Sequence, residues 1–421
     1  MKTILGMTLV LLCVGASAQN RIAHPTGGTF QQLAELTGSQ SFALFASSVA
    51  FSDNTLVIGT PAATPPDGCF ECGVAYMYTA VDGDWTNLQL TATLTQSRGQ
   101  SQGGFGGAVA ISGDTVIVGG YDSAEESGAA YVYVNPSGTV SETAELTTSV
   151  PGAPFDSISI DGNTIVAGSP LAPIDNQPEL GAAYVYVEPP DGWGNMTQTA
   201  ELVANDESTD CGFGNSVSIS GSTVAVGAPR ADGRRGFAYV FVEPAHGWNG
   251  TQGQTAELVP SNGTKSAIFG ISVSLSADTV AVGAPEESVG ANQEQGAVYI
   301  FSKPSHGWSE TMTQTAELTA ARGTAGSLMG YSVAISDGML LAGAPYVRSG
   351  QGIAYAFSEP PGGWQNEAAG REIAAADGAP NNFFGDVVAI GAGGVLGVSA
   401  PYWPDGGLSP NGAVYVFGPA Q

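Results

Sequence analysis

The sequence predicts an all-β protein, a seven-bladed β-propeller of four-stranded antiparallel blades whose ring is closed by an N-terminal strand. Three observations predict it. Four strand-sized segments recur together at intervals of about 50 to 60 residues, as expected of a repeat architecture. The segments are rich in Val, Ile and Tyr and are bounded by Gly and Pro, as short strands and turns are. One more strand-sized segment precedes the first repeat, while the last repeat lacks one.

Each repeat contains four strands, named A to D here. Strand A follows a Phe-Gly pair, as at Phe213-Gly214, and strand B ends in Gly-Ala-Pro, as in residues 224–229. Strand C carries a tyrosine, as in residues 236–242, and strand D reads Thr-Ala-Glu-Leu, as in residues 255–258. The blades are predicted to start near residues 45, 105, 155, 213, 269, 329 and 384.

The ring is predicted to close through the N-terminal part of the chain. The seventh repeat has no strand D after Phe417, and residues 31–37 have the right sequence to supply it. Closure in this way removes the free sheet edge that an open seam would present to other chains. Strands A and B carry small residues that suit a narrow central channel, and the aromatic residues near strands C and D fill the wider outer spaces.

Composition and charge limit the function. The 60 Gly, the 25 Pro and a hydrophobic content of 43% favour short strands joined by turns over helices or disorder. The net charge of −27 excludes nucleic acid and anionic membrane surfaces as partners, because these require a concentrated basic field. General solubility explains the acidity better than a specific cationic partner does.

The first 18 residues indicate a secretory signal peptide. Lys2 precedes an apolar segment at residues 4–14, and Ala16-Ser17-Ala18 forms a cleavage site before Gln19. We therefore expect a secreted chain with a short segment at residues 19–29 and the propeller at residues 30–421. No later stretch is long or apolar enough to span a bilayer.

The repeated Phe-Gly and Gly-Ala-Pro sequences resemble the FG-GAP repeats of integrin α-subunit propellers and related secreted propellers. The resemblance extends over about residues 30 to 418 and implies a propeller that meets ligands and partners on the face of its B–C and D–A loops. Integrin repeats often bind calcium in the A–B hairpin, which requires several oxygen ligands at alternate positions. Here those hairpins are tight turns such as Asp161-Gly162-Asn163, so we predict no metal and no cofactor.

The B–C and D–A loops vary in length and emerge on one face, which is where binding residues usually lie on a rigid scaffold. Of the ten Lys and Arg residues after the signal peptide, seven fall in these loops. They favour an anionic group on the ligand, although loops are also simply where charged residues are tolerated. The predicted ligand-binding residues are Arg230, Asp232, Arg234, Arg235, Tyr121, Tyr346, Arg348, Tyr402 and Trp403.

No catalytic residues are predicted. His246 and His306 occupy equivalent turns of two repeats and are interpreted as scaffold. The acidic pair Glu286-Glu287 lies in a B–C loop and is expected to be solvated rather than to perform acid–base chemistry. No nucleophile motif with a nearby base is evident.

Two kinds of covalent feature are predicted. In an exported protein, Cys69 and Cys72 are expected to form a small loop disulfide, which leaves Cys211 buried or free. Asn195, Asn249 and Asn262 stand in acceptor sequences for N-glycosylation, if the host glycosylates secreted proteins.

Together these features predict a secreted binding module, not an enzyme, that recognises an extracellular protein or glycan in cell adhesion or surface recognition. Two alternatives remain open. One is a secreted hydrolase or lyase acting at the mouth of the central channel, which would need converging acids or a histidine there. The other is a structural repeat protein of an envelope or cell wall, which would lack a pocket or apolar patch on the loop face.

Overall fold

The computed structural model describes residues 29–40, 42–65, 68–97, 103–122, 127–150, 154–174, 180–205, 212–368, 370–403 and 410–420. The predicted signal peptide and most of the following segment lie outside these residues. The described residues form seven sheets of four or five strands, each antiparallel in its A to D strands. The prediction of an all-β, seven-bladed propeller is confirmed.

The strands follow the repeats closely. In chain order, the closing strand and blades 1 and 2 comprise β1 (Phe30–Thr37), β2 (Ser48–Ser52), β3 (Thr55–Thr60), β4 (Val74–Ala80), β5 (Leu88–Leu94), β6 (Ala108–Ser112), β7 (Thr115–Asp122), β8 (Ser127–Val134), β9 (Gly138–Val140) and β10 (Ala144–Thr147). Blades 3 and 4 comprise β11 (Ser157–Asp161), β12 (Thr164–Ser169), β13 (Ala182–Val187), β14 (Met196–Thr197), β15 (Ala200–Val203), β16 (Ser216–Ser220), β17 (Thr223–Ala228), β18 (Phe237–Val242), β19 (Gly250–Gly253) and β20 (Ala256–Val259).

The remaining blades have the same order. They comprise β21 (Val273–Ser276), β22 (Thr279–Ala284), β23 (Ala297–Ser302), β24 (Glu310–Thr313), β25 (Ala316–Leu318), β26 (Val333–Ser336), β27 (Met339–Ala344), β28 (Ile353–Ser358), β29 (Arg371–Ile373), β30 (Val388–Ile390), β31 (Leu396–Ala400) and β32 (Ala413–Pro419). The helical segments are the single turns α1 (Ala231–Arg234) and α2 (Val347–Gly350) and the 3-10 turns Val81–Gly83 and Ala392–Gly394. Among the described residues, no helix is long enough to cross a membrane.

Blades 1 to 4 contain a fifth strand that the sequence did not predict. The linker between strands C and D of the next blade pairs in parallel with strand D, giving the pairs β5–β9, β10–β14, β15–β19 and β20–β24. In blade 5 the same contact is reduced to one bridge between Leu318 and Glu367. Each of these linkers therefore ties its blade to the preceding one.

The N-terminal strand closes the ring as predicted. β1 pairs antiparallel with β32 from Phe30 opposite Pro419 to Thr37 opposite Ala413. It thereby supplies strand D of blade 7, whose other strands are β30, β31 and β32.

The Phe-Gly and Gly-Ala-Pro sequences meet at the joints between blades. A Cβ on Gly227, at the end of β17, would overlap the carbonyl oxygen of Gly270 in blade 5. Gly270 has a φ of +89° and donates its N–H to the Gly283 carbonyl at 3.0 Å. The same approach of glycines occurs at Gly59–Gly106, Gly168–Gly214, Gly283–Gly330 and Gly343–Gly385. Glycine is required at these positions because neighbouring backbones touch.

Serine hydroxyls join the A strands of successive blades. The Ser216 hydroxyl accepts a hydrogen bond from the Val273 N–H at 3.0 Å, and the Ser332 hydroxyl accepts one from Val388 N–H at 3.1 Å. Both serines are fully buried. Because the A strands contact one another around the ring, these bonds satisfy polar groups that no sheet partner reaches.

The joint between blades 7 and 1 is built differently. Ala46 replaces the Phe-Gly glycine of blade 1, and Ser399 replaces the Gly-Ala-Pro glycine of blade 7. The ring of Phe51 fills this joint, where it packs edge-on to Trp85 with a centroid distance of 5.2 Å. A Cβ on Gly391 would lie 3.1 Å from the same phenylalanine ring. At this seam the packing of an apolar side chain thus replaces the close backbone contact of the glycine pair.

Candidate binding face of the propeller

The B–C and D–A loops lie on one face because consecutive strands of each blade run antiparallel. Two repeat positions place side chains on this face close to the channel. One position follows the Phe-Gly pair and leads into strand A, the strand that lines the channel. The other follows Gly-Ala-Pro at the start of the B–C loop. In blades 6 and 7 both positions carry residues of unusual chemistry.

An aromatic cluster spans blades 6 and 7 on the loop face. We define the tyrosine cluster as Tyr331, Tyr346, Phe383 and Tyr402. The ring centroids of Tyr331 and Tyr346 are 6.1 Å apart, those of Tyr346 and Phe383 are 5.2 Å apart, and those of Phe383 and Tyr402 are 5.5 Å apart. All three pairs meet edge to face, the arrangement that aromatic rings prefer. Tyr346 is 44% exposed, so the cluster is open to a partner.

Asp386 lies beside this cluster, directly after Phe384-Gly385. Its side chain is buried, at 9% exposure, and no described residue donates a hydrogen bond to its carboxylate. Burial raises the pKa of Asp386 to about 7. The pKa values of Tyr331, Tyr346 and Tyr402 are also raised, first by burial and then by the negative charge of Asp386. Four ionisable groups thus influence one another within a small area.

Three of the four arginines predicted to bind an anion lie next to carboxylates. Arg234 forms an ion pair with Glu286 of the next blade at 3.0 Å, and Arg348 forms one with Glu372 at 3.3 Å. Arg235 approaches Asp232 at 3.8 Å. These pairs reduce the positive field that an anionic ligand would need.

Arg230 lies near a second carboxylate at the channel end of strand A. Burial raises the pKa of Asp156 to about 6, although the positive charge of Arg230 acts in the opposite direction. Asp156 occupies in blade 3 the position that Asp386 occupies in blade 7. The two carboxyl groups therefore belong to different parts of the ring.

Comparison with known proteins supports the architecture. The model of the FG-GAP repeat family matches residues 88–133, 196–241, 252–301 and 312–357. Each matched segment runs from strand D of one blade to strand C of the next, so it contains strands A, B and C of a single blade. The chain is a β-propeller that contains FG-GAP repeats. A search of curated protein sequences finds no significant match.

The FG-GAP propeller is also similar in fold to a solved structure. The crystal structure of the WD40 β-propeller domain of Doa1 superposes with a TM-score of 0.53 and 11% sequence identity. The match covers 94% of this chain and 98% of that domain. At this level of identity the similarity concerns the fold alone.

The FG-GAP propeller brings together only some of the predicted site residues. Tyr346 and Tyr402 both contact Phe383, whereas Trp403 donates its indole N–H to Asp377 at 3.1 Å and is held by the scaffold. Tyr121 lies in β7, and its side chain is outside the described residues. Arg230, Arg234 and Arg235 lie in blade 4, away from the tyrosines. The role of these three arginines in binding stays a prediction.

Sequence reasoning missed Tyr331, Phe383 and Asp386. A signal for two of them was present, because Tyr331 and Asp386 occupy the same repeat position. Other blades place Ser47, Gly107, Asp156, Asn215 or Ile271 there. A comparison across repeats at that position would have shown a tyrosine in blade 6 and aspartates in blades 3 and 7.

The prediction that Glu286 and Glu287 form a solvated acidic loop is wrong for Glu287. This side chain is only 2% exposed. Its two oxygens accept hydrogen bonds from the N–H groups of Thr264 at 3.0 Å and Ser288 at 3.2 Å. Glu287 is buried because it satisfies loop backbone that has no strand partner.

The other predicted features take scaffold positions. Cys69 and Cys72 are disulfide-bonded in the B–C loop of blade 1. His246 and His306 are exposed in equivalent turns. Asn195, Asn249 and Asn262 have exposed side chains, and their glycosylation stays a prediction. Within the described ranges, no three His, Cys, Asp or Glu side chains lie close enough to hold a metal.

Proposed function

We propose that this FG-GAP propeller is a secreted binding module that recognises a protein partner through its B–C and D–A loop face. The ligand group is a basic side chain of the partner, which enters the tyrosine cluster beside Asp386. Asp386 carries the proposal, because a buried carboxylate that accepts no hydrogen bond from any described residue destabilises the free protein at neutral pH. Such groups are concentrated at functional sites.

The chemistry of the cluster favours a cation. A lysine or arginine would give the Asp386 carboxylate a charged hydrogen-bond donor. The faces of Tyr346 and Tyr402 would attract the same cation through their ring electrons. A net charge of −27 would also steer a basic partner toward the propeller.

This ligand differs from the anionic group that the arginines favour in the sequence. Arg234 and Arg348 already form ion pairs with Glu286 and Glu372. An anion would have to displace these carboxylates, whereas a cation meets a carboxylate to which no described residue donates a hydrogen bond. Export to the extracellular space is supported by the signal-like residues 1–18 and by the resemblance to secreted FG-GAP proteins.

A protein and glycan array would test the proposal. The purified propeller would be compared with Asp386→Asn and Tyr346→Ala variants, and with Leu171→Ala as a matched control. Leu171 is 37% exposed and occupies in blade 3 the repeat position of Tyr346 in blade 6. We expect binding to proteins that is weakened in both cluster variants and retained in Leu171→Ala.

The chemical nature of the ligand group would be tested separately. Nα-acetyl-lysine methylamide, its arginine analogue and acetate would be titrated against the propeller while the tyrosine ring signals are followed by NMR. Shifts with the two cations but not with acetate are expected. Shifts with acetate that vanish in an Arg230→Ala variant would instead favour the anionic ligand. Turnover of a glycan on the array would favour the hydrolase alternative.

A further inference from the structure

Among the described residues, no strand covers the outer edge of β1 near Thr37 and Ser39, whereas a strand covers the equivalent edge in blades 1 to 4. Among the described residues, no strand and no bridge pairs with this edge. The reason lies in blade 1, which joins its strands C and D through the short 3-10 turn Val81–Gly83. The longer linkers of blades 2 to 5 instead run back along the preceding blade.

The backbone of β1 presents the same donors as the covered strands. Gly38 donates its N–H to Gly412 at 3.0 Å, so the N–H groups of Thr37 and Ser39 face away from β32. In blade 5 the equivalent Thr319 donates to the Glu367 carbonyl at 2.9 Å. In blade 4 the equivalent Ser261 donates to the Gln314 side chain at 2.8 Å.

The side chains along this edge are also less covered than their equivalents. Ala34 and Leu36 are half-buried, whereas Ala256 at 1% and Leu258 at 0% exposure are buried in blade 4. Leu90 is 52% exposed, and it occupies in blade 1 the position of Gln314 in blade 5. An apolar strip thus borders the outward N–H groups of Thr37 and Ser39.

We propose that the outer edge of β1 binds an extended segment of a partner protein, which runs parallel to β1 as the four internal linker strands do. By analogy with the internal linker strands, the partner segment is short and rich in threonine and glycine. It is apolar where it meets Leu90. The edge of β29 is the weaker candidate because that strand has three residues against eight in β1. An exposed strand edge such as the one at Thr37 and Ser39 is a template for strand addition.

A peptide with the sequence of residues 307–316, which contains β24 of this chain, is the probe. Its binding to the full mature chain would be measured by fluorescence polarisation, and exchange of the Thr37 and Ser39 amides would be followed by hydrogen–deuterium exchange. We expect saturable binding of this peptide, slower exchange at both amides, and no binding of a scrambled peptide.

Two variants of Thr37 form the matched pair. Thr37→Pro removes an outward N–H, and proline is tolerated at such a position because a strand edge needs no N–H donor there. Thr37→Val keeps the N–H. The proposal predicts that Thr37→Pro weakens binding at least about fivefold, the equivalent of one backbone hydrogen bond. Thr37→Val should bind like the wild type, and Leu90→Ala should bind more weakly than Leu171→Ala.

Three results would overturn the proposal. The first is no binding to the wild type, and the second is equal binding to the Thr37→Pro and Thr37→Val variants. The third is a concentration-dependent dimer that Thr37→Pro abolishes, because the occupant would then be a second copy of the chain. Thermal unfolding of every variant would show that the ring is intact in these comparisons.

Discussion

The ring of Phe51 lies against Gly397, where an added Cβ would be 2.5 Å from the phenylalanine Cε2 atom. This contact joins strand A of blade 1 to strand B of blade 7, at a seam that lacks the glycine pair found at five of the other joints. Phe51 is fully buried. The tight packing of the seam therefore depends on a large side chain, Phe51, opposite a glycine, which has no side chain.

Substitution of Gly397 by alanine should destabilise the propeller by about 1 to 3 kcal/mol, because the added methyl group overpacks the seam. The free energy of unfolding would be measured by urea denaturation. Combination with Phe51→Leu should recover part of the loss, since the smaller side chain makes room. Gly194→Ala is the control, because an added Cβ there meets no atom within 4 Å. Equal effects of the two alanine substitutions would contradict this account of the seam.

The serine bonds between A strands predict a second stability effect. Ser216→Ala removes the acceptor of the buried Val273 N–H and should cost about 1 to 3 kcal/mol. Ser222→Ala, at an exposed turn of the same blade, should be close to neutral. Hydrogen exchange of the Val273 amide would distinguish a lost bond from a general loosening, since only the former accelerates this amide selectively.

Asp386 predicts a stability that falls as the pH rises. Its pKa is about 7 in the folded protein against 3.8 for the free group, so the folded state binds the proton more tightly. The cost of ionising Asp386 is therefore absent below about pH 4 and complete above about pH 7. Asp386→Asn should remove this dependence and raise the stability at pH 8 by at most about 4 kcal/mol.

Denaturation of Asp386→Asn at pH 5 and pH 8 would provide the check. The exposed turn residue Asp337 offers a control substitution to Asn with the same loss of charge. An Asp386 variant that follows the wild-type pH profile would mean that its carboxyl is not buried as the structure indicates.

Removal of the closing strand should prevent the propeller from folding. A chain without residues 29–38 loses the strand that pairs with β32 along its full length and leaves an edge in the core of blade 7. We expect loss of the cooperative thermal transition and aggregation, measured by circular dichroism and size-exclusion chromatography. A cooperative, monomeric deletion variant would show that blade 7 tolerates three strands.

The sequence predicted what each blade forms by itself and missed what neighbouring blades form together. Strands A to D were predictable because each has its own hydrophobic pattern and turn residues. The linker strands, such as Gly250–Gly253, have no such pattern and are strands only because strand D of the preceding blade pairs with them. Their polar, glycine-containing sequences resemble loops.

In the candidate site, too, features within one blade were predictable and contacts between blades were not. Tyr346 and Tyr402 were predictable as loop aromatics, but their contact through Phe383 depends on the packing of blades 6 and 7. Arg234 stood out as a cation, yet its carboxylate partner, Glu286, lies 52 residues away in the next blade. Charge compensation between blades cannot be found from local sequence.

The pairing of Phe30 with Pro419 places the two ends of the described chain side by side, and Ala420 N–H donates to the Thr29 carbonyl at 2.6 Å. The blades therefore form a closed ring of contacts, and the two ends of the described chain meet within blade 7. Joining these ends and opening the chain in an exposed loop elsewhere would preserve every strand pairing, as circular permutation requires. In such a permutant, blade 7 would be one continuous segment of the chain. The new N- and C-termini, to which other domains could be fused, would lie in any chosen blade.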